Sequence, residues 1–440
     1  MDFILESNKS LSILDQYIAL PAFLGIVPLN DRYHPKLNGV SAIYVSFKGV
    51  KESFIIPTNH SECNNFELGI VITYLKKFKS IYVISRKEAL YYLGPNNFID
   101  ISLIAILLEG TKLEFRSPVS SIDYFYRTHS DFFAINSIIP ITKLHEKWEH
   151  LFNSVKRYMG VELPEYFNFY NSKSLNVYYL LEQTGLTITD KFLDYYSEVD
   201  YKYNVLGNKV YTWYNPYTIT TRASNTFNKI NFSALNKETG VRTEIVPELD
   251  FLVEFDFDGS HVRILCEEIG YELTSEQAHI QLAELYFPSR EITSELYEQS
   301  KKITFNAFYG NIPEKYKNLD IFKKLNEYLI DLSKTYAKFG HLTDRYTGRP
   351  IHIEGKNPAI SKLLNYTIQS LESSRNMIVL EKLLKYLKDK RSKLILYTYD
   401  SFLIDFSKED SKKVLEDIRI VLSDNNKYPV KFKYGKSLNL

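Results

Sequence analysis

Residues 254–259 read Glu-Phe-Asp-Phe-Asp-Gly and sit in a stretch, 246–265, that reads as a strand of the β-branched, aromatic kind. Alternate side chains of a strand share a face, so Glu254, Asp256 and Asp258 are expected side by side. An acidic face on a buried strand needs a cation or hydrogen-bond partners. Asp400 poses the same problem a second time, at the tip of an expected hairpin over residues 393–406, between the apolar runs KLILYTY and FLIDF. Two aspartates from separate buried strands, brought together, form an oxygen-rich site suited to Mg²⁺. Two such ions ~3.5–4 Å apart can activate a hydroxyl nucleophile and stabilise a pyrophosphate leaving group. Taken alone, the same residues also read as turn chemistry, with Asp256 and Asp258 preceding Gly259 and Asp400 at a hairpin corner.

The rest of the chain narrows the choice slowly. Its 440 residues suggest two to four folded units, and 45% apolar against 24% charged residues is the profile of a globular protein with a core. Two cysteines, Cys63 and Cys266, make neither a disulfide framework nor a zinc cage, which fits a reducing compartment. Apolar runs such as 101–108 are too short to span a bilayer, and the first residues carry no secretory signal pattern, so a cytoplasmic protein without membrane contact is expected. A net charge of +1 gives no argument for nucleic-acid binding, although a basic groove and an acidic metal site cancel in such a sum.

Residues 1–145 read as mixed α/β. Residues 41–47 and 52–57 are expected strands around a Lys48-Gly49 turn, with helices at 66–77 and 87–92 and a buried strand at 80–85. Residues 143–203 are mostly helical, helices dominate 275–336, and 358–389 holds one or two more.

Asp256-Phe257-Asp258-Gly259-Ser260-His261-Val262-Arg263 resembles motif A of family A DNA polymerases. Residues 296–311, LYEQSKKITFNAFYGN, resemble motif B through Lys301, Phe305, Tyr309 and Gly310, and residues 396–406 around Asp400 resemble motif C. The segment Thr221-Arg222-Ala223-Ser224-Asn225, leading to Asn231, is similar to the family's Thr-Gly-Arg segment, and Asn365 to Gln369 is similar to its Asn-x-x-x-Gln helix. His279 falls where the family has a histidine near the nucleotide's phosphates. Together these cover about residues 216–440 in the family's order.

The resemblance implies an α/β and α+β multidomain fold and an enzyme that adds deoxynucleotides to a primer 3′ end by two-metal phosphoryl transfer. Residues 1–145 would be an exonuclease-like (ribonuclease H-like) domain, 146–215 the thumb, 216–270 and 355–440 the two parts of the palm, and 271–354 the fingers. Asp256 and Asp400 would hold two Mg²⁺ ions, with the backbone carbonyl of Phe257 a further ligand. Lys301, Phe305 and Tyr309, spaced i, i+4, i+8, line one helix face, a lysine for the triphosphate and rings for the new base pair. His279 and Arg263 would also meet the nucleotide, and His261 would press on the sugar's 2′ position. Arg222, Asn231, Asn365, Gln369 and Tyr399 would contact primer–template DNA, where minor-groove acceptors are nearly alike for every correct pair.

The chain departs from the family at three points. His261 replaces the usual gate glutamate, Tyr297 replaces an arginine four residues before Lys301, and Tyr399-Asp400-Ser401 replaces His-Asp-Glu. In the front domain the nuclease's carboxylate positions fall on Pro21, Phe23, Ala89, Phe133 and Ser137, leaving Asp100 and Asp131 as isolated acids, so no proofreading is expected. The short thumb implies low processivity or a partner such as a processivity factor, and brevity and composition suggest a bacteriophage enzyme working in an infected bacterial cell. A single-subunit RNA polymerase and a non-catalytic primer–template-binding replication protein share parts of this pattern. A metal-dependent nuclease would need acid clusters that the chain lacks outside the palm.

Overall fold

The runs AFLGIVP, VSAIYVSF and SFIIP become strands β1 (Ala22–Pro28), β2 (Val40–Phe47) and β3 (Ser53–Pro57), every residue of them buried. Burial on both faces is why they read as continuous apolar runs rather than alternating ones. This computed structural model describes residues 3–113, 126–129, 131–274, 276–308, 312–355, 357–424 and 426–440. With β4 (Ile81–Val83) and β5 (Phe98–Asp100) these strands form a sheet of order β3-β2-β1-β4-β5, antiparallel on the β2 side and parallel on the β4 side. Helices α1 (Leu68–Leu75) and α2 (Arg86–Leu93) fall close to where sequence pattern placed them, and α3 (Ile101–Glu109) follows β5 directly.

The chain divides into two compact units, the first comprising 1–106, 111–179 and 199–207, the second 107–110, 180–198 and 208–440. In the first unit, one sheet face packs Leu24, Ile43, Val45 and Ile81 against Val71 and Leu75 of α1. The other face meets α4 (Ile141–Val155), whose Leu144 and Trp148 join Val27, Ala42 and Ile55. Trp148 lies so close that a Cβ on Gly25 would stand 2.2 Å from its ring. Substituting Gly25→Ala should therefore destabilise this unit by about 1–3 kcal/mol through overpacking. A urea melt measures it, and Trp148→Leu in the same chain should recover part of the loss.

In the second unit the central strand is β6 (Phe251–Phe257). It pairs antiparallel with β8 (Ser401–Phe406) on one side and β9 (Val430–Gly435) on the other, and β7 (Lys393–Thr398) completes the order β7-β8-β6-β9. The expected long strand over 246–265 stops at Phe257. Gly259 takes φ +65°, a left-handed conformation open to glycine, and the chain turns directly into helix α5 (Ser260–Glu268).

Five further helices follow, α6 (Ala278–Tyr286), α7 (Ser294–Phe308), α8 (Asp320–Phe339), α9 (Ile360–Leu387) and α10 (Ser411–Ser423). Helix α9 is one unbroken element of 28 residues, packed against α5, α8 and α10. Its middle is buried all round, including Ser370, Glu372, Ser373, Ser374, Arg375 and Asn376. Several of those polar groups find partners in neighbouring residues. Ser374 donates to Asp344 (2.5 Å), Ser370 accepts from Arg349 (3.2 Å) and Ser373 donates to the Thr221 carbonyl (2.8 Å). Among the described residues, no helix is long and apolar enough to cross a membrane.

Candidate active site

Adjacent strands bring the two aspartates together. In the β6–β8 register Asp256 lies opposite Ser401, the neighbour of Asp400, and the Phe257 N–H donates to the Asp400 carbonyl at 3.2 Å. Tyr399 and Asp400 form a two-residue hairpin turn between β7 and β8, with Tyr399 at φ +61°. A tyrosine in that left-handed position stores strain of about 1–3 kcal/mol. Asn376 of α9 holds the turn, donating to the Tyr399 carbonyl at 2.6 Å.

Both carboxylates open into a cleft of about 410 Å³. Burial, then the neighbouring charges of Asp400 and Glu254, pushes Asp256 up to about 7, although its oxygens reach solvent through the cleft mouth. Burial and Glu372 raise Asp400 as well. Among the described residues neither carboxylate has an ion-pair or hydrogen-bond partner from another residue. Two uncompensated carboxylates at the base of a cleft fit a hard divalent cation. No group of three or more His, Cys, Asp and Glu side chains is placed to hold a metal among the described residues. The pair therefore offers two ligands, and the remaining positions suit a backbone carbonyl, water and phosphate oxygens, as is usual for magnesium.

Asp258 does not continue the acidic face. Because β6 ends at Phe257, its carboxylate turns inward to accept from the Ala278 N–H at the start of α6 (2.8 Å) and to pair with Lys431 of β9. Glu254 is likewise engaged, by Arg242 (3.3 Å) and Ser401 (3.1 Å).

Helices α6 and α7 build the opposite wall. Tyr297, Lys301 and Phe305, one helical turn apart on α7, all face the cleft. Lys301 lies over the Tyr297 ring at 4.4 Å and pairs with Glu298 at 3.0 Å. Partial burial opposes its charge, but Glu298 and Tyr297 outweigh that and hold the ammonium above the usual lysine range. His279 lies beside Phe305, and burial pushes its imidazole below the ordinary range. Among the described residues its buried Nδ1 has no hydrogen-bond partner. Tyr309 and Gly310 lie outside the described residues.

Other expected contacts are distributed unevenly. His261 and Arg222 line the cleft. Tyr399 lies under Arg222, whose guanidinium is 3.5 Å from its ring centre. Asn365 and Gln369 sit one turn apart on α9, half-buried and joined by a 2.9 Å hydrogen bond. Arg263 is not brought into the cleft. It is buried, and its guanidinium donates to the carbonyls of Asp258 and Glu276, both at 2.8 Å. Asn231 is exposed, accepts from the Ser233 N–H and is not among the cleft-lining residues.

Sequence reasoning missed Lys431 and Glu372. Lys431 is on the strand paired with β6 directly opposite Asp256, a register that only the folded sheet reveals. Glu372 stands in the run Ser-Leu-Glu-Ser-Ser, which looks like a solvated helix face; one carboxylate three residues past Gln369 was the available signal.

A scan of protein-family models finds no match to the sequence, and a search of curated proteins likewise finds none. Among solved structures, the chain is similar to the POL domain of Pol1 from M. smegmatis, determined in complex with DNA primer-template and dNTP. The TM-score is 0.69 at 14% identity, with 99% of each chain covered. Over the 99% of the chain that is covered, it has the fold of that polymerase domain.

Proposed function

We infer that this protein is a template-directed DNA polymerase, adding deoxynucleotides to a primer 3′ end. The observation that carries the reading is the unpartnered pair Asp256 and Asp400, side by side in a cleft faced by Lys301 and Phe305. The likeness to a polymerase domain solved with primer-template and dNTP supports it. In this reading residues 216–270 and 355–440 are the palm, 271–354 the fingers, 146–215 the thumb and 1–145 a nuclease-like domain.

Asp256 and Asp400, with the Phe257 carbonyl, would hold magnesium, which when bound supplies charge for the reacting phosphate and a lowered pKa for the attacking hydroxyl. Phosphoryl transfer leaves the protein mainly positioning and charge neutralisation. Lys301 places a compact positive charge for the triphosphate, and His279, neutral by burial, serves as a hydrogen-bond partner rather than a cation. Phe305, 42% exposed, offers its ring to the incoming base pair. His261 walls the sugar, Arg222 and Tyr399 meet the primer end, and Asn365 and Gln369 read minor-groove acceptors.

Primer extension tests this directly. We expect incorporation of the nucleotide complementary to the template, dependent on Mg²⁺ and favouring deoxyribonucleotides. A preference for ribonucleotides would move the assignment to an RNA polymerase, and binding of primer–template without extension would move it to a non-catalytic replication protein.

The raised Asp256 also sets a pH dependence. Between its ordinary value of 3.8 and about 7, the native state keeps a proton that the unfolded chain releases. Stability from this group therefore falls as pH rises through that window, and the full penalty stands above about 7. A cation held by the pair offsets the penalty, so Mg²⁺ should raise the melting temperature more at pH 8 than at pH 6. Equal shifts at both pH values would count against a shared metal site.

In the nuclease-like unit, Phe23 and Ala89 fill the core. Asp100 accepts from the Arg86 and Leu103 N–H groups at 2.7 Å each, while Asp131 is exposed beside Lys202. Asp31 is engaged by Lys147, Tyr126 and Asn136. These roles support a unit without proofreading. End-labelled single-stranded DNA should remain untrimmed in Mg²⁺, and 3′ shortening would contradict this.

A further inference from the structure

Glu372 is 1% exposed, in the middle of α9, and three chain segments converge on it. Its Oε1 accepts from the Ser260 hydroxyl at 3.2 Å. Its Oε2 lies 3.1 Å from His261 Nε2 and 3.0 Å from Arg222 Nε. Burial works against the charge on Glu372, but His261, Arg222 and Ser260 outweigh it and hold the carboxyl below its ordinary range. Neither nitrogen directs its N–H along a hydrogen-bond line to Oε2, so the three groups meet at close range without a settled bidentate pair.

The two nitrogens belong to different parts of the cleft. His261 is in the first turn of α5, reached directly from Asp256 through the Gly259 turn. Arg222 follows Thr221, which is held at φ +54° by the hydrogen bond from Ser373, and its guanidinium covers Tyr399 beside Asp400. One buried carboxylate thus ties the Asp256 side of the cleft to the Asp400 side. A buried charge cluster of this kind is poor value as stabilisation, since well-packed apolar groups do as well or better. Its effect is on where the two cleft-lining side chains point.

We propose that Glu372 is the positioning residue for sugar selection: it fixes His261 as a rigid wall at the nucleotide's sugar and holds Arg222 in register with it at the primer end. This rests on the DNA polymerase reading above. With the carboxylate in place, His261 cannot swing aside for a 2′ hydroxyl without leaving Glu372 buried with only Arg222 and Ser260. Without it, the imidazole is free to yield.

The test is single-nucleotide extension of a primer by wild type, Glu372→Gln and His261→Ala, comparing a deoxynucleotide with its ribonucleotide. Glu372→Gln keeps the side chain's shape and removes its charge. It should reduce discrimination by about tenfold or more, mainly through a lower KM for the ribonucleotide. Adding His261→Ala to Glu372→Gln should change discrimination little further, because both substitutions release the same wall. Unchanged discrimination in folded Glu372→Gln, or effects of the two substitutions that simply add, would overturn the proposal. Nuclear magnetic resonance of the His261 imidazole, in wild type and Glu372→Gln without nucleotide, reads the tie independently of activity. A large change in its resonances and proton affinity supports the tie, and no change overturns it. A wild type that extends neither nucleotide sinks the polymerase reading, and this assignment of sugar selection with it, even where the resonance data uphold the tie.

Discussion

Replacing Asp256 by asparagine is expected to slow nucleotide incorporation by about 10³-fold or more, roughly 4 kcal/mol in the barrier, without harming the fold. Both halves of that result follow from one geometry. Among the described residues Asp256 has no partner, and it sits beside Asp400 and Glu254, so its charge destabilises the metal-free protein. A neutral amide of the same shape removes that repulsion, and the melting temperature in metal-free buffer at pH 8 should stay level or rise. It also removes a charged ligand, and the loss of activity and of Mg²⁺-dependent stabilisation should appear together. Asp400→Asn should behave alike, and the double substitution should be little worse than either single one, since a metal site that needs both ligands fails with the first. Primer–template binding measured by fluorescence anisotropy should persist in all three. A parallel fall in activity and stability would instead mark Asp256 as a structural residue.

The second large effect lies beneath the site. Arg375→Ala should cost about 3–5 kcal/mol of stability, because several losses coincide. The guanidinium is buried, 3.5 Å from the Tyr428 ring centre and 4.6 Å from that of Phe257. It donates to the Leu422 carbonyl at the end of α10 (3.2 Å) and to Asn376 (3.0 Å). Truncation leaves a cavity, an unsatisfied carbonyl and two rings without their cation. Thermal or urea unfolding measures the cost, and Arg375→Met, which refills much of the volume, should recover a part of it. Phe257 follows Asp256 on β6, so incorporation should fall too. A melting temperature within about a degree of wild type would show that α9 does not anchor the sheet through this residue.

What could be read in the sequence was what short-range periodicity encodes. Alternation along β6 exposed Asp256, two apolar runs around Asp400 exposed the hairpin, and the four-residue spacing of Lys301 and Phe305 gave one face of α7. What could not be read depends on long-range placement. Asp258 was assigned to the acidic face because alternation was carried past Phe257, where Gly259 had already turned the chain. Arg263 has the right spacing for a motif, yet the helix that begins at Ser260 directs it inward to the carbonyls of Asp258 and Glu276. Helix α9 hides its role most completely. A helix buried all round shows no apolar stripe, and its polar residues look solvated until their partners, far away in the chain, are in place. Glu372 was lost for that reason, since His261 and Arg222 precede it by more than a hundred residues.

The most direct measurement is a crystal of the protein with primer–template and a non-hydrolysable deoxynucleoside triphosphate, grown with Mn²⁺ and recorded at the manganese absorption edge. We expect two anomalous peaks about 3.5–4 Å apart, bridged by the carboxylates of Asp256 and Asp400, with the nucleotide's phosphates on the Lys301 side. Manganese elsewhere, or a nucleotide bound away from these two residues, would contradict the assignment.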